Sequence, residues 1–297
     1  MDKLIEIAME RVHVLPRNME RLFRLLNDPM ASLDELAAIV NEDPKLATQT
    51  LHLCNSAYYS FPVEITSVSH AVKLIGINTA AGLVMAAYFQ GLLEPKGLPG
   101  SVWLRGAKDH VLATAQIAEY LVWEGSLKES PGTAFTGGLL HDLGKLVLSQ
   151  LPSEMARGVA SQMDEQGLSL VEAEQVVLGT DHSEVGYRLA ECWKVPEVIA
   201  ESIRYHHMPM LGQYVSTVIV HLANTLVHEL DTNRPEQIEV SHIDPDVLHE
   251  LHLSEDDVVT LANGWVSRRG QDIGRQHISG NRREGRNDHT RARSYAR

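Results

Sequence analysis

The residues with the clearest chemical potential form the run His141-Asp142-Leu143-Gly144-Lys145. Adjacent histidine and aspartate offer a metal ion one nitrogen donor and one charged oxygen donor. On a continuous helix Lys145 would lie one turn after His141, on the same face. Burying three such groups in an apolar segment is costly unless something compensates their charge. The run therefore indicates a candidate metal site that needs further ligands from elsewhere in the chain.

The second half of the chain supplies those candidates. They are His110, His182, His206, His207 and Asn224, each at or near the end of a predicted helix or on its apolar side. A single histidine in a helix is more often a core or surface residue than a ligand. We interpret five other histidines in that way: His13, His52, His70, His228 and His249.

Composition limits the class of protein. The chain has 297 residues, of which 44% are apolar and 22% charged, as in globular proteins. Its longest strongly apolar run is too short to span a bilayer, and its N-terminus does not resemble a signal peptide. The two cysteines, Cys54 and Cys192, are too few for a disulfide framework, and we expect both to be buried thiols. These features predict a cytoplasmic protein without membrane contact.

The net charge of −13 is unevenly distributed. Residues 268–297 contain nine arginines and three acidic residues, a net +6, which leaves −19 on residues 1–267. A body this acidic makes nucleic acid an unlikely partner. The tail has almost no apolar residues and is expected to be disordered. It is either a solvated extension or a weak electrostatic arm for an anionic partner.

Almost every segment predicts a helix, so the expected fold is all-α. Apolar residues recur at spacings of three and four, and no stretch alternates strictly or carries a hairpin turn. Helix starts are indicated at Ser32, Asp43, Ser67 and Ser169. The predicted helices include residues 18–27, 78–93, 103–123, 134–151, 153–166, 185–193, 213–230 and 258–266.

The segment Glu94-Pro95-Lys96-Gly97-Leu98-Pro99-Gly100 is the clearest interruption of this pattern. It predicts a boundary between an N-terminal helical subdomain, residues 1–95, and a second helical subdomain, residues 100–267. Residues 268–297 form the basic tail.

The order of the candidate ligands resembles the HD superfamily of metal-dependent phosphohydrolases. His141-Asp142 followed by Gly144-Lys145, then His182, then His206-His207, is similar to the HD-GYP cyclic-dinucleotide phosphodiesterases. Two features depart from that branch. Met208 to Gly212 stands where the GYP sequence is expected, and Asn224 replaces the final aspartate.

The first half resembles a different branch, the HDOD (HD-related output domain) family, over roughly residues 10 to 230. The runs that carry the resemblance are Val14-Leu15-Pro16, Leu25-Leu26-Asn27-Asp28-Pro29, residues 32–39, Asp43-Pro44-Lys45-Leu46-Ala47, Leu53 to Tyr59 and Ala71-Val72-Lys73-Leu74-Ile75-Gly76. The resemblance implies a helical bundle of the HD superfamily, with an N-terminal helical subdomain, that serves bacterial signal transduction. Most members have lost the metal ligands, whereas this chain keeps nearly all of them.

The resemblance also implies how the ligands divide. His110, His141 and Asp142 would bind one ion, and His182, His206 and His207 a second, with Asp142 bridging. Histidine and carboxylate donors suit iron, manganese or zinc, as one or two ions. Lys145 would face a phosphate-containing ligand.

Asn224 is the weak point of this ligand set. An amide oxygen can coordinate a metal ion but carries no charge, so we expect weaker binding of one ion or a single-metal site. Alternatively, Asn224 is a core hydrogen-bonding residue.

Two functions remain open. The first is a non-catalytic signalling module with a retained metal site that acts through protein partners, which the sequence does not name. The second is a metal-dependent phosphohydrolase or phosphodiesterase acting on a cyclic dinucleotide or nucleotide, in which Asp142 and Lys145 would be catalytic. The run from Asn55 to Tyr59 is predicted to pack between the subdomains, with a partner surface as the alternative.

Overall fold

The computed structural model describes residues 1–12, 15–28, 30–56, 58, 59, 61, 63–92, 101–104, 106–232, 240 and 243–268. Within these ranges all regular elements are helices and no strand occurs, so the all-α prediction is confirmed. None of the helices described is both long and apolar enough to cross a membrane.

Seventeen α-helices and one short 3₁₀-helix lie in the described part of the chain. They are α1 (Asp2–Val12), α2 (Arg17–Leu26), α3 (Leu33–Asn41), α4 (Pro44–Cys54), α5 (Val68–Ile75), α6 (Ile77–Leu92), α7 (Ser101–Leu104), α8 (Ala107–Glu124), α9 (Pro131–Leu140), α10 (Leu143–Leu148), α11 (Ser153–Gln166), α12 (Leu170–Leu178), α13 (His182–Trp193), α14 (Glu197–Tyr205), the 3₁₀-helix Pro209–Leu211, α15 (Val215–Thr232), α16 (Pro245–Leu251) and α17 (residues 255–268).

The predicted helix starts are confirmed by their capping hydrogen bonds. Ser32, Asp43 and Ser67 each accept a backbone N–H of the first helical turn that follows. Ser169 and Glu172 form a complete capping box, in which each side chain accepts the other residue's backbone N–H. Such caps satisfy N–H groups that have no partner inside the helix, and so they fix where the helix begins.

Two predicted long helices are wrong, because each is interrupted. The segment 103–123 is divided between α7 and α8 at Gly106, whose φ of +72° lies in the left-handed region and cannot continue an α-helix. The segment 134–151 is divided between α9 and α10 at His141 and Asp142. The sequence analysis expected Lys145 and His141 to share one continuous helix, and the break shows that they do not.

Two helices were not predicted at all. Helix α1 packs against α10, and α16 packs against α15. Only Ile5 and Ala8 of α1 are buried, so its apolar pattern is a weak sequence signal. The expectation for the cysteines is confirmed for Cys54, which is buried, and wrong for Cys192, which is exposed.

Helix α9 lies at the centre of the packing. It contacts α6, α8, α14 and α15. One buried apolar cluster runs from Ile5 to Ile203, and a second joins α8 to α15, α16 and α17. The first cluster includes residues on both sides of the predicted boundary at 94–100, which itself lies outside the described residues. The division into subdomains stays a prediction, and the tail beyond Arg268 also lies outside the described residues.

Helices α10 and α13 cross at two glycines, Gly144 and Gly186. A Cβ on Gly144 would overlap the carbonyl oxygen of His182 and lie 2.7 Å from the backbone nitrogen of Gly186. Both neighbours are backbone atoms, so no side chain can move aside to make room. The absence of a side chain at Gly144 therefore brings Asp142 and His182 close together.

We predict that Gly144→Ala lowers the free energy of unfolding by about 3 kcal/mol or more, because the crossing must open. Denaturant unfolding of the variant measures the effect. Gly158→Ala is the matched control, since its added methyl meets only the side chain of Val177, at 3.2 Å, and its effect should stay within about 1 kcal/mol. Equal stability of the two variants would contradict this account of the crossing.

The carboxyl group of Glu119 on α8 joins the N-terminal helices to the second half of the chain. Its side chain is buried and accepts hydrogen bonds from the hydroxyls of Tyr58 at 3.1 Å, Tyr59 at 3.2 Å and Thr79 at 3.2 Å. The two tyrosines thus pack between the two halves, which agrees with the packing interpretation of this run. Burial raises the pKa of Glu119 to about 7, although the three hydroxyls partly oppose the shift.

This raised pKa predicts a pH-dependent stability. The folded-state pKa of Glu119 lies above its ordinary value of 4.5, so the folded protein binds an extra proton between these values. The contribution of Glu119 to the free energy of unfolding then falls as the pH rises from about 4.5 to about 7, by up to roughly 3 kcal/mol. The buried histidines have lowered pKa values, so their contribution to stability rises with pH. Comparing the chain with its Glu119→Gln variant cancels that contribution, because both proteins contain the same histidines. The stability difference between the two proteins should change over this pH range; a constant difference would contradict the prediction.

Candidate metal centre

The candidate ligands lie where helices begin and end. His110 is in the first turn of α8, and His141 and Asp142 form the link between α9 and α10. His182 is the first residue of α13, while His206 and His207 follow α14. Because α9 is surrounded by α8, α14 and α15, its C-terminal end is where these residues meet.

Small residues in α9 allow this convergence. A Cβ on Gly138 would lie 2.8 Å from the Cα of Ala115, so α8 and α9 are in backbone contact. A Cβ on Gly137 would lie 3.0 Å from the side chain of Val220 on α15 and 3.2 Å from that of Ser202 on α14. The small-residue run before the His-Asp pair thus brings three helices close to α9.

The first group consists of His110, His141 and Asp142. The Nε2 atoms of the two histidines are 3.3 Å apart. Oδ2 of Asp142 lies 3.4 Å from Nε2 of His141 and 3.7 Å from Nε2 of His110. One donor atom from each of the three side chains therefore lies within 4.8 Å of the others.

The second group consists of His182, His206 and His207. Nε2 of His207 lies 3.0 Å from Nε2 of His182. The other oxygen of Asp142, Oδ1, is 3.4 Å from Nε2 of His182 and 3.9 Å from Nε2 of His206. Asp142 therefore lies between the two groups and presents one oxygen to each. The candidate side chains are grouped in space as the sequence analysis expected, and metal binding by them stays a prediction.

The buried histidines are held by their Nδ1 atoms. Nδ1 of His141 donates to the carbonyl of Gly138, and Nδ1 of His206 donates to the carbonyl of Ile203, both at 2.8 Å. A carbonyl oxygen can only accept, so in each neutral ring the proton lies on Nδ1 and the lone pair on Nε2. The Nε2 lone pairs thus face Asp142, as in metal-ligating histidines.

His182 is held by a carboxylate instead. Its Nδ1 is 2.7 Å from Oε2 of Glu174, which also accepts the backbone N–H of His182 at 2.9 Å. Oε1 of Glu174 accepts the indole N–H of Trp103 at 2.8 Å. Sequence reasoning missed Glu174. A signal was present, because Glu174 lies four residues from both Leu170 and Leu178, at the spacing of an apolar helix face.

The protonation states suit metal binding. Burial and the neighbouring imidazoles together lower the pKa of His110 and of His207 to about 3. Burial also lowers the pKa of His141 and of His206. For Asp142 burial alone would raise the pKa, but the Lys145 ammonium and the surrounding histidines together outweigh burial and hold the pKa well below its usual range. At neutral pH these four imidazoles are therefore uncharged and the carboxylate of Asp142 is ionised, the forms that bind metal.

These donors fit a cation. Oδ1 of Asp142 and Nε2 of His206 are buried and have no hydrogen-bond partner in the described part of the chain. Each is an acceptor that faces other acceptors, an arrangement that is unfavourable unless a positive charge lies between them. Five imidazoles and one carboxylate form a donor set suited to iron, manganese or zinc.

Lys145 occupies a different place from the one expected. Its ammonium donates to Oδ2 of Asp142 at 2.6 Å, one turn along the chain, and its side chain is mostly buried. The ammonium is paired with the carboxylate of the first group, and Lys145 does not lie beside His141 on a shared helix face.

Asn224 lies on α15, on the same face as His221 and His228. Nδ1 of His221 is 2.6 Å from the carbonyl oxygen of His206, and the ring of His228 is centred 4.8 Å from that of His110. This face is therefore directed at both groups. Oδ1 of Asn224 is buried without a hydrogen-bond partner among the described residues, which leaves it open as a ligand. His228, interpreted as unrelated to the site, instead contacts one of its members.

Known proteins share this fold. The HDOD domain protein of Geobacter sulfurreducens superposes with a TM-score of 0.71 at 24% identity, covering 91% of this chain and 96% of that one. A Shewanella amazonensis SB2B protein, provisionally named a phosphohydrolase, gives 0.70 at 21% identity, covering 92% and 97%. A Marinobacter aquaeolei VT8 protein, provisionally named a signal transduction protein, gives 0.68 at 24% identity, covering 88% and 58%.

Sequence comparison agrees with these superpositions. An uncharacterized protein of Treponema pallidum (strain Nichols) is 27% identical over 233 residues. That alignment covers 75% of this chain but only 44% of the relative, so the chain spans less than half of that protein's length. The HDOD domain family model matches residues 12–209. The chain therefore belongs to the HDOD domain family.

Proposed function

We propose that this chain is a metal-binding signalling module that acts through protein partners. The observation that carries the proposal is the position of Asp142, which presents one carboxylate oxygen to each of two histidine groups. So many ligand side chains in one buried place are costly to keep without a cation. The candidate ligands for iron, manganese or zinc are His182, His206 and His207 on one side of this carboxylate and His110 and His141 on the other.

A bound ion of this kind supplies a Lewis acid that polarises water or a phosphate oxygen. The chain's own residues supply the rest of the site. Glu174 orients His182, and backbone carbonyls orient His141 and His206. These contacts fix the Nε2 lone pairs toward Asp142 and would stabilise the surrounding helix ends when the ion is bound.

Three features favour a signalling role over catalysis. The ammonium of Lys145 is engaged by Asp142 and is not directed outward toward a phosphate. Asn224 brings no negative charge, so it offsets less of the charge of a bound ion. The residues after His207 lack the GYP sequence of the phosphodiesterase branch.

The surface beside the site supports a protein partner. Directly after the paired histidines, four large apolar side chains are exposed: Met208 (57%), Met210 (46%), Leu211 (61%) and Tyr214 (39%). Neighbouring exposed apolar residues of this size are typical of protein-interaction surfaces, and methionine adapts well to varied partners. Helix α14 ends just before His206 and His207, and the exposed surface follows these two residues directly. The candidate ligands and the surface therefore lie in one continuous segment.

A phosphohydrolase is the second candidate, and one observation favours it. His207 is exposed, and His110 and Lys145 reach the surface in part, whereas His141, His182 and His206 are buried. A phosphate-containing ligand could therefore approach both groups from one side. The Shewanella amazonensis SB2B protein with this fold is provisionally named a phosphohydrolase.

We predict that the purified chain contains iron, manganese or zinc, and that His206→Ala loses most of it. Elemental analysis measures the content, and thermal unfolding in the presence of a chelator shows whether the variant folds. His70→Ala is the matched control, because His70 is exposed and far from both groups in sequence. No metal in the unaltered chain, or equal metal in both variants, would refute the metal site.

Catalysis is tested separately, with cyclic dinucleotides and mononucleotides as substrates for the metal-loaded chain. The proposal predicts no turnover above that of the metal ion alone. Hydrolysis that is abolished by Asp142→Ala would replace the signalling proposal with the phosphohydrolase.

Glu174 yields a further prediction about affinity. Glu174→Gln removes the negative charge behind His182, and this should weaken metal binding by about 10–100-fold. Trp103→Phe is the control, since it removes one hydrogen bond to Glu174 but leaves the carboxylate on His182. Calorimetric titration with Mn²⁺ measures both, and an unchanged dissociation constant in Glu174→Gln would show that the carboxylate does not support the ligand.

A further inference from the structure

The two groups of ligands differ in the state of the carboxylate they share. Oδ2 of Asp142, which faces His110 and His141, already carries the ammonium of Lys145 at 2.6 Å. Oδ1, which faces His182 and His206, is buried and has no hydrogen-bond partner among the described residues. The first group thus has a resident positive charge and the second has none.

The ammonium lies within the first group, not at its edge. The oxygen it binds is also 3.4 Å from Nε2 of His141 and 3.7 Å from Nε2 of His110. A divalent ion bound by these three side chains would need the same oxygen. It would then lie beside a fixed positive charge in a poorly solvated place, where repulsion between like charges is strong.

The second group is better prepared for an ion. It has three histidines, and one of them, His182, is backed by the buried carboxylate of Glu174. A carboxylate behind an imidazole raises the basicity of the ligand and fixes its orientation. Among the described residues no carboxylate lies behind the ring of His110 or of His141 in the same way, and Nδ1 of His141 donates to a neutral carbonyl.

The charge available to both groups is limited. Within the described ranges Asp142 is the one acidic side chain that belongs to either group, and Asn224 adds an amide where a carboxylate would add a charge. The one negative charge of this carboxylate is already balanced by the ammonium of Lys145, so even one divalent ion makes the site positive. A second ion would leave the site strongly positive.

We propose that the ammonium of Lys145 takes the place of a metal ion in the first group, so that this chain binds a single divalent ion, held by the second group. Lys145 is then a positioning residue that sets the number of ions. The inference rests on the proposed metal binding and specifies how many ions bind and where.

Titration of the full-length, metal-free chain with Mn²⁺ alone tests the inference. Calorimetry should give one ion per chain, and electron paramagnetic resonance should show the spectrum of isolated Mn²⁺. Lys145→Met has a side chain of similar length without the charge, and it should bind two ions with the spectrum of a coupled pair. Lys145→Arg keeps the charge and should still bind one.

A second pair of variants, made first in the unaltered chain, identifies which group of side chains holds the ion. His110→Ala should leave the number of ions and the dissociation constant of the unaltered chain unchanged. His207→Ala should weaken binding at least tenfold. In the background of Lys145→Met, His110→Ala should remove the second ion that was gained.

The outcomes separate the inference from the function on which it rests. If the unaltered chain binds no Mn²⁺, the proposed function fails. If it binds two ions, or if Lys145→Met still binds one, metal binding stands and the inference is overturned. Equal losses in His110→Ala and His207→Ala would also overturn it, because they would place the ion between the two groups.

Discussion

The carboxylate of Asp142 is the group on which the rest of the site depends. It is almost fully buried, and burial alone would raise its pKa. The Lys145 ammonium and the surrounding histidines together lower the pKa instead, and an ionised carboxylate can bind a cation jointly with those imidazoles. Helix packing, histidine orientation and the break between α9 and α10 all act at this one residue. A buried charge among this many polar groups has a high desolvation cost unless a ligand compensates it.

Close helix packing is what makes the arrangement possible. Ligands come from α8, from the link between α9 and α10, and from the ends of α13 and α14, so four segments must approach within a few ångströms. Glycines at 137, 138 and 144 permit this by removing side chains where backbones meet. The same contacts tie ligand geometry to helix positions. A change at the ligands would therefore be felt in α13 and α14, and next to α14 lies the exposed apolar surface from Met208 to Tyr214.

Family membership and chemistry point in partly different directions. The HDOD match and the changes at Asn224 and after His207 favour signalling, whereas the ligand set retains what hydrolysis would need. The contact between Lys145 and Asp142 reconciles them. A lysine that neutralises the shared carboxylate leaves a site that can hold a cation without presenting the paired ions that activate water and grip phosphate together. Metal binding and loss of catalysis are then compatible properties of one site.

The sequence by itself determined the all-α fold and most helix starts, and it picked out the candidate ligands, because helix periodicity, capping residues and a His-Asp pair are local features. It could not determine where the long helices break, since the turns at Gly106 and at His141-Asp142 depend on packing. Nor could it show that Glu174 supports His182 or that Lys145 neutralises Asp142. The first joins residues eight positions apart on different helices. The second has an i, i+3 spacing that permits the contact, but only the fold shows that the pair is buried among the histidines. Tertiary structure decided these pairings because a buried charge is stabilised by the groups that lie near it in space.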